Sequence, residues 1–566
     1  MLGLAALSLT GFVLDRTFGT DKATGALVWQ SPNRLIAQKD QASESICPAQ
    51  LGAAIEAVIN RPQFRRARWG ILVTQLSQNV RNRALYSHEA DRYFIPASNT
   101  KLLTTAAALL ALGSDYRIRT SIYDAGAGKL RLVGRGDPSF TETQLLDLAQ
   151  QLKRQGIRNV KELLVEDGYF QGDVVNPTWE WEDVQADYGA SVNSLILNQN
   201  AVELTLSPQQ PSQPLGMRWS DAIAYRQWRI ENESVTADAG TPNSVTVTAV
   251  LGQPVLRIKG QLPVDAKPET FGIAIPDPAK YFLQHFRLAL ALAGIKVETA
   301  SVVSKVSTNS DRELAAVESP PLSALVFETN QESNNLYAEV LLRTLQVSAQ
   351  TSARAYFPTF LSVLDPPKSP KEIPLLSPLK RGKPEEATPL ISRGTLTEFS
   401  PHVKGGWGGS EGLKIDPSTS PNGNSADIGL KQLKATLTGL GVDPETYVLV
   451  DGSGLSRHNL VSPEAIAQTL QLMAQTPQAR VYRASLPVAG ISGTLKNRFR
   501  NTAAQGHLQA KTGGMTGVSA LSGYLDVPGY QPLVFSIIVN QSDQSFMTLR
   551  QAIDEIVLLL TRLRSC

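Results

Sequence analysis

Cysteine and histidine are scarce in this chain, two and five among 566 residues. No histidine stands in a His-x-x-x-His or Cys/His grouping. The sequence therefore offers no metal site, and no cofactor is expected. Excess charge of one sign is lacking as well: 54 Lys and Arg against 51 Asp and Glu leave a net charge of +3. With no basic block interleaved with aromatics, nucleic acid is excluded as an expected partner. Long apolar runs are also missing. Met1 to Leu14 is apolar but too short to span a bilayer comfortably, and it fits the central part of an export signal. No Lys or Arg precedes it, so a buried or frayed segment is the alternative. The expectation is export to the periplasm or cell envelope, with peripheral membrane association if the segment is retained as an anchor.

Two cysteines in an exported chain permit a disulfide between Cys47 and Cys566, with two unpaired thiols as the alternative. Closing so long a loop would stabilise the fold by about 4–5 kcal/mol on the loop-entropy model. No Leu-Ala-Gly-like stretch precedes Cys47, so a lipid anchor is not expected.

What is present is ordinary globular material, 42% hydrophobic and 19% charged. Residues 1–46 read as the signal- or anchor-like segment and a polar linker. Residues 47–118 read as helix, strand, strand, helix. From 119 to 319 the pattern changes to short strands with turn signals and one clear helix, Ala279 to Ala293. Helices and strands resume over 320–566, with a helical pattern from Pro321 to Ser348 and strands at Ala510 to Gly513, Val518 to Asp526 and Leu533 to Asn540. Within that part, residues 364–424 are rich in Pro, Gly and Lys and read as a disordered insertion. The expected fold is α+β: a discontinuous helix–sheet–helix domain, 47–118 plus 320–566, with a strand-rich, multi-part 119–319 inserted in it.

Three short strings fall in order: Ser98-Asn99-Thr100-Lys101, Ser333-Asn334-Asn335 and Lys511-Thr512-Gly513. Each alone is weak. Ser-x-x-Lys recurs at Ser377 to Lys380, inside the Pro-rich stretch, and Ser-x-Asn recurs at five other serines. Pro96 before and Gly113 after the apolar run Leu102 to Leu112 put Ser98 at a helix start, with Lys101 one turn on. A serine hydroxyl needs a base, and a lysine serves only if burial and a second cation lower its pKa. Lys511 is the natural second cation. Alternation along its strand puts Lys511 and Gly513 on one face and Thr512 on the other. The missing side chains of Gly513 and Gly514 would let a peptide approach the backbone.

The ordered set resembles the penicillin-binding D-alanyl-D-alanine carboxypeptidase/endopeptidase family, in particular its low-molecular-mass members with a large insert after the nucleophile helix. Val450 to Arg457 (VDGSGLSR), Gly493-Thr494-Leu495 and Gly134 to Pro138 (GRGDP) add to the likeness, which runs from about Ala49 to Leu563. The resemblance implies a β-lactamase/transpeptidase-like domain that acts on peptidoglycan stem peptides through an acyl-enzyme. Ser98 would be the nucleophile and Lys101 its base. Ser333 would relay a proton, and Asn335 would hold the substrate amide and Lys101. Lys511 and Thr512 would bind the terminal carboxylate, and the N–H groups of Ser98 and Gly514 would form the oxyanion hole. Asp183, in Trp179 to Asp183 (WEWED), would meet the amine of a diaminopimelate side chain. β-Lactams would be covalent inhibitors. Two other readings stand beside this one: a β-lactamase of the same superfamily, and a non-catalytic peptidoglycan-binding protein.

Overall fold

The computed structural model describes residues 45–77, 84–304, 311–347 and 423–566. The leader-like segment up to residue 44 and residues 364–422 of the Pro-rich stretch 364–424, with the second Ser-x-x-Lys, lie outside these residues; at the end of that stretch Asn424 instead caps the helix Ser425–Leu440, accepting from Ala426 N.

A five-stranded antiparallel sheet forms one layer. Its strands run in the order Leu508–Met515, Val518–Leu525, Leu533–Asn540, Arg68–Gln75, Tyr86–His88. Every residue of Val518–Leu525 and Leu533–Asn540 is buried, because helices cover both faces. Helices Pro48–Ile59 and Phe546–Leu560 pack together on one face with Phe64, Leu549 and Ile553. The other face meets Pro463–Met473 and Thr100–Leu112, backed by Leu322–Gln331, Asn335–Thr344 and Ser425–Leu440. This helix–sheet–helix layering is the expected α+β class. Apolar periodicity explains the helix Thr100–Leu112 only in part: all its residues from Thr100 to Leu109 are buried, which makes it the central helix of the layer.

Residues 119–318 build a second sheet, ordered Lys296–Val303, Asn159–Glu166, Lys129–Val133, Arg119–Asp124, Arg312–Glu318. Its first three strands are parallel. Parallel neighbours need crossovers, and helices Glu142–Arg154 and Pro278–Leu292 belong to them. The first of these helices corrects the reading of this segment as strands with a single helix. Leu145, Leu148 and Leu152 are buried at helical spacing, and the Gln144 side chain accepts from the Thr141 backbone N–H. That Thr-x-x-Gln signature stood in the sequence. Three smaller sheets between residues 201 and 274 complete the segment.

The helical pattern over 321–348 breaks into two helices at Glu332-Ser333-Asn334, where Ser333 adopts φ +62°. Cys47 and Cys566 are bridged, with Cα atoms 5.8 Å apart, and Ile46 pairs with Leu563 beside them. Among the described residues no helix is long and apolar enough to cross a membrane.

Candidate active site

The first string lies at the sheet's edge, where a 3-10 turn Ala97–Asn99 leads into the helix Thr100–Leu112. Ala97 carries φ +47°, a strained conformation for a residue with a Cβ. Two glycines make that turn possible. A Cβ on Gly454 would lie 1.9 Å from the Ala97 carbonyl oxygen, and one on Gly513 would lie 2.7 Å from that of Pro96. The bare face of Gly513 is therefore occupied by the turn that leads into Ser98. Close packing against that turn is thus one reason why position 513 carries no side chain.

Lys101 is completely buried, and its Nζ lies within hydrogen-bond reach of three oxygens. They are Ser98 Oγ at 2.9 Å, Asn335 Oδ1 at 2.6 Å and the Ser453 carbonyl at 2.7 Å. Burial lowers its pKa to about 7, against the opposing pull of Asp451 and Glu339. Lys511 is equally buried. Its Nζ donates to Ser333 Oγ at 2.8 Å and to the Thr512 carbonyl at 2.9 Å. Burial and the neighbouring Lys101 hold its pKa well below the ordinary lysine value. Two hydrogen-bonded groups, Ser98–Lys101–Asn335 and Ser333–Lys511, thus lie side by side, close enough for Lys101 to act on Lys511.

Asn335 joins two regions. Its Oδ1 accepts from Lys101, while its Nδ2 donates to the Tyr188 carbonyl at 2.8 Å. One N–H of the carboxamide is left for another acceptor. Asn334 caps its helix through Tyr337 N and reaches Gln199 Oε1 at 2.6 Å. Alternation holds along the edge strand: Lys511 and Gly513 are buried, and Thr512 is half-buried with its hydroxyl on that of Thr494, 2.9 Å away.

A cavity of about 370 Å³ opens over this cluster. Ser98, Ser333, Asn335 and Gly514 line it together with Asp183, Tyr188 and Arg457. Lys511, Thr512 and Gly513 are not among its lining residues. Asp183 accepts from the Tyr188 hydroxyl at 3.0 Å, and burial raises its pKa above the usual carboxylate value. Arg457 donates to Glu180 and to the Thr516 carbonyl. A larger cavity of about 550 Å³ adjoins, sharing Tyr188, Ser333 and Asn335.

Arg457, Tyr188, Thr494 and Ser453 were not singled out from the sequence as site residues. Thr494, Ser453 and Arg457 lie in stretches that carried the family likeness. Tyr188 had no signal, since only the folded segment 119–319 brings it over the cleft.

A model of D-Ala-D-Ala carboxypeptidases matches residues 51–357 and 417–563. The chain belongs to the D-Ala-D-Ala carboxypeptidase 3 (S13) family. It is accordingly a peptidase, a hydrolase of the serine type. It is 30% identical over 513 residues to the D-alanyl-D-alanine carboxypeptidase of Actinomadura sp. (strain R39), covering 87% of this chain and 81% of that one. The penicillin-sensitive carboxypeptidase A of Dictyostelium discoideum is 26% identical over 525 residues, 87% of each chain. In fold the S13 chain is similar to penicillin binding protein 4 from Haemophilus influenzae. That match has a TM-score of 0.68 at 20% identity and covers 89% of this chain and 98% of the other.

Proposed function

We propose that this S13 chain cleaves the terminal D-Ala-D-Ala bond of peptidoglycan stem peptides with Ser98 as nucleophile and Lys101 as base. One observation carries the reading: the fully buried Lys101 amine, its pKa near 7, is bonded to Ser98 Oγ. A neutral amine has two N–H groups and one lone pair. Asn335 Oδ1 and the Ser453 carbonyl are pure acceptors and take the two N–H groups. The lone pair is then left facing Ser98 Oγ. Ser98 attacks the carbonyl of the penultimate D-Ala, and its proton passes to Lys101. The N–H groups of Ser98 and Gly514 receive the oxyanion. Ser333, held by Lys511, relays that proton: its own goes to the departing amine and it takes up the one carried by Lys101, which is neutral again for the water step. Water then releases the acyl group from Ser98.

The terminal carboxylate sits with the Thr512 and Thr494 hydroxyls, near Lys511. Its negative charge draws Lys511 toward the ammonium form and leaves Lys101 free to act as the base. Asp183 and Arg457 place opposite charges in one cavity. That suits a side chain bearing both an ammonium and a carboxylate, as diaminopimelate does. Asn335 positions Lys101 and offers its remaining N–H to the substrate amide. β-Lactams, which carry a carboxylate beside a strained amide, acylate Ser98 and leave slowly. Cross-link endopeptidase action is chemically the same step on a larger leaving group, and the chain acts in the periplasm or cell envelope.

Labelled penicillin tests the reading. A stable adduct on the purified chain, lost in Ser98→Ala, is expected. Rapid penicillin hydrolysis would instead make it a β-lactamase, and neither outcome with a folded protein would leave a non-catalytic binding protein.

A further inference from the structure

The base is held by more than the three motifs. Its third partner, the Ser453 carbonyl, belongs to the turn Asp451-Gly452-Ser453-Gly454, and one side chain from the facing helix takes two of that turn's backbone N–H groups. Glu339 Oε1 accepts the backbone N–H of Gly452 at 2.9 Å and of Ser453 at 2.8 Å. Glu339 follows Asn335 by four residues in the helix Asn335–Thr344, so both emerge on one face. One touches Lys101 directly, and the other reaches it through the turn.

The turn has little freedom to adjust. A Cβ on Gly452 would lie 2.9 Å from the Ala338 carbonyl oxygen, and Gly454 abuts the Ala97 carbonyl. It is wedged between the helix and the nucleophile turn. Asp451 stiffens it from inside, accepting from Gly454 N at 2.7 Å, Ser456 N at 2.7 Å, Asn459 Nδ2 at 2.8 Å and Trp179 Nε1 at 3.0 Å.

Resting on the assignment of Lys101 as base, we propose that Glu339 is a positioning residue for acyl transfer. Through the Gly452–Ser453 amides it presents the Ser453 carbonyl to Lys101 and so aims the amine's lone pair at Ser98. Its charge also tunes the base. The titratable groups facing this pair are Asp451 from the turn, Arg343 from Glu339's own helix, and Lys511 from the edge strand. Burial and Asp451 raise the Glu339 pKa, while the Glu339 carboxylate in turn raises that of Lys101, so the two groups influence each other's protonation.

The test compares the second-order rate of acylation by labelled penicillin, from about pH 5 to 9, in wild type, Glu339→Ala and Glu339→Gln, with thermal melts of each. Glu339→Ala removes the acceptor and is expected to slow acylation on the order of 10²-fold, the loss typical of a displaced catalytic group. Glu339→Gln keeps an oxygen for both amides and restores most of the rate. Its acid limb moves to lower pH, because the negative charge that raised the Lys101 pKa is gone. Glu339→Ala with wild-type rate and profile would overturn the proposal. So would a Glu339→Gln profile whose acid limb does not move, and that criterion still decides if Glu339→Ala fails to fold. A wild type that forms no adduct, or a Ser98→Ala variant that does, overturns the assignment of nucleophile and base, and this inference with it.

Discussion

Buried positive charge is handled in opposite ways in two regions of this molecule. In the sheet of residues 119–318, Arg131 is buried between Glu166 and Asp311, with ion-pair distances of 3.2 and 3.0 Å. In the cleft, Lys101 and Lys511 are just as deeply buried, yet among the described residues neither has a carboxylate within ion-pair distance. Their partners are hydroxyls, an amide oxygen and backbone carbonyls. A paired buried charge keeps its proton and holds structure together. A buried amine surrounded by neutral dipoles is desolvated without a countercharge, so its pKa falls, for Lys101 to about 7. The two carboxylates nearest Lys101, on Glu339 and Asp451, are turned to backbone N–H groups, and they temper the shift without cancelling it.

The sharpest way to break this contrast is to exchange the two roles. Lys101→Met is expected to reduce acylation by penicillin at least ~10³-fold while the protein still melts cooperatively, as loss of a catalytic base does. Arg131→Met should do the reverse. It removes the buried guanidinium that faces Glu166 and Asp311 and should cost about 3–5 kcal/mol in denaturant unfolding, with the acylation rate of the folded fraction unchanged. Were Arg131→Met to abolish acylation in folded protein, the division between structural and reactive charge would fall. Reducing the Cys47–Cys566 bridge comes next, with an expected loss of about 2–5 kcal/mol and an intact cleft. The acylation rate should rise as pH climbs through about 7, where Lys101 loses its proton, and fall about tenfold for each pH unit below it. A rate that is flat down to pH 5 would mean that the amine is not the base. The smallest effect is expected for Asp183→Asn: about a tenfold rise in KM for peptides with a free side-chain amine, and little change for penicillin.

Much of this site could be read from the chain because acyl transfer needs particular groups at short local spacing. Ser98 and Lys101 had to share one helical turn, and the Pro96 and Gly113 boundaries said where that helix runs. The strand of Lys511 was legible from alternation, and its edge position agreed with a role beside a cleft. Other elements escaped for physical reasons. The break at Ser333 carries no Pro or Gly, the residues that usually announce a positive φ or a helix end. Helix Glu142–Arg154 did carry a capping signal, but the many short strands around it dominated the pattern of that segment. Tyr188, Arg457 and Glu339 are distant from the motifs in sequence or silent in pattern, and a buried Glu on an apolar helix looks like any amphipathic acid until its partners are seen.

By itself, the amino-acid sequence determined the candidate serine and the two lysines, the order of the three strings and the α+β class, since these rest on residue identity and local periodicity. Only the tertiary structure decided that Gly513 makes room for the nucleophile turn, that Asn335 and Ser453 share the amine of Lys101, and that residues 179–188 close over the cleft. Those outcomes depend on how closely segments hundreds of residues apart can approach, and on how far burial strips water from a charge, neither of which is written in local pattern.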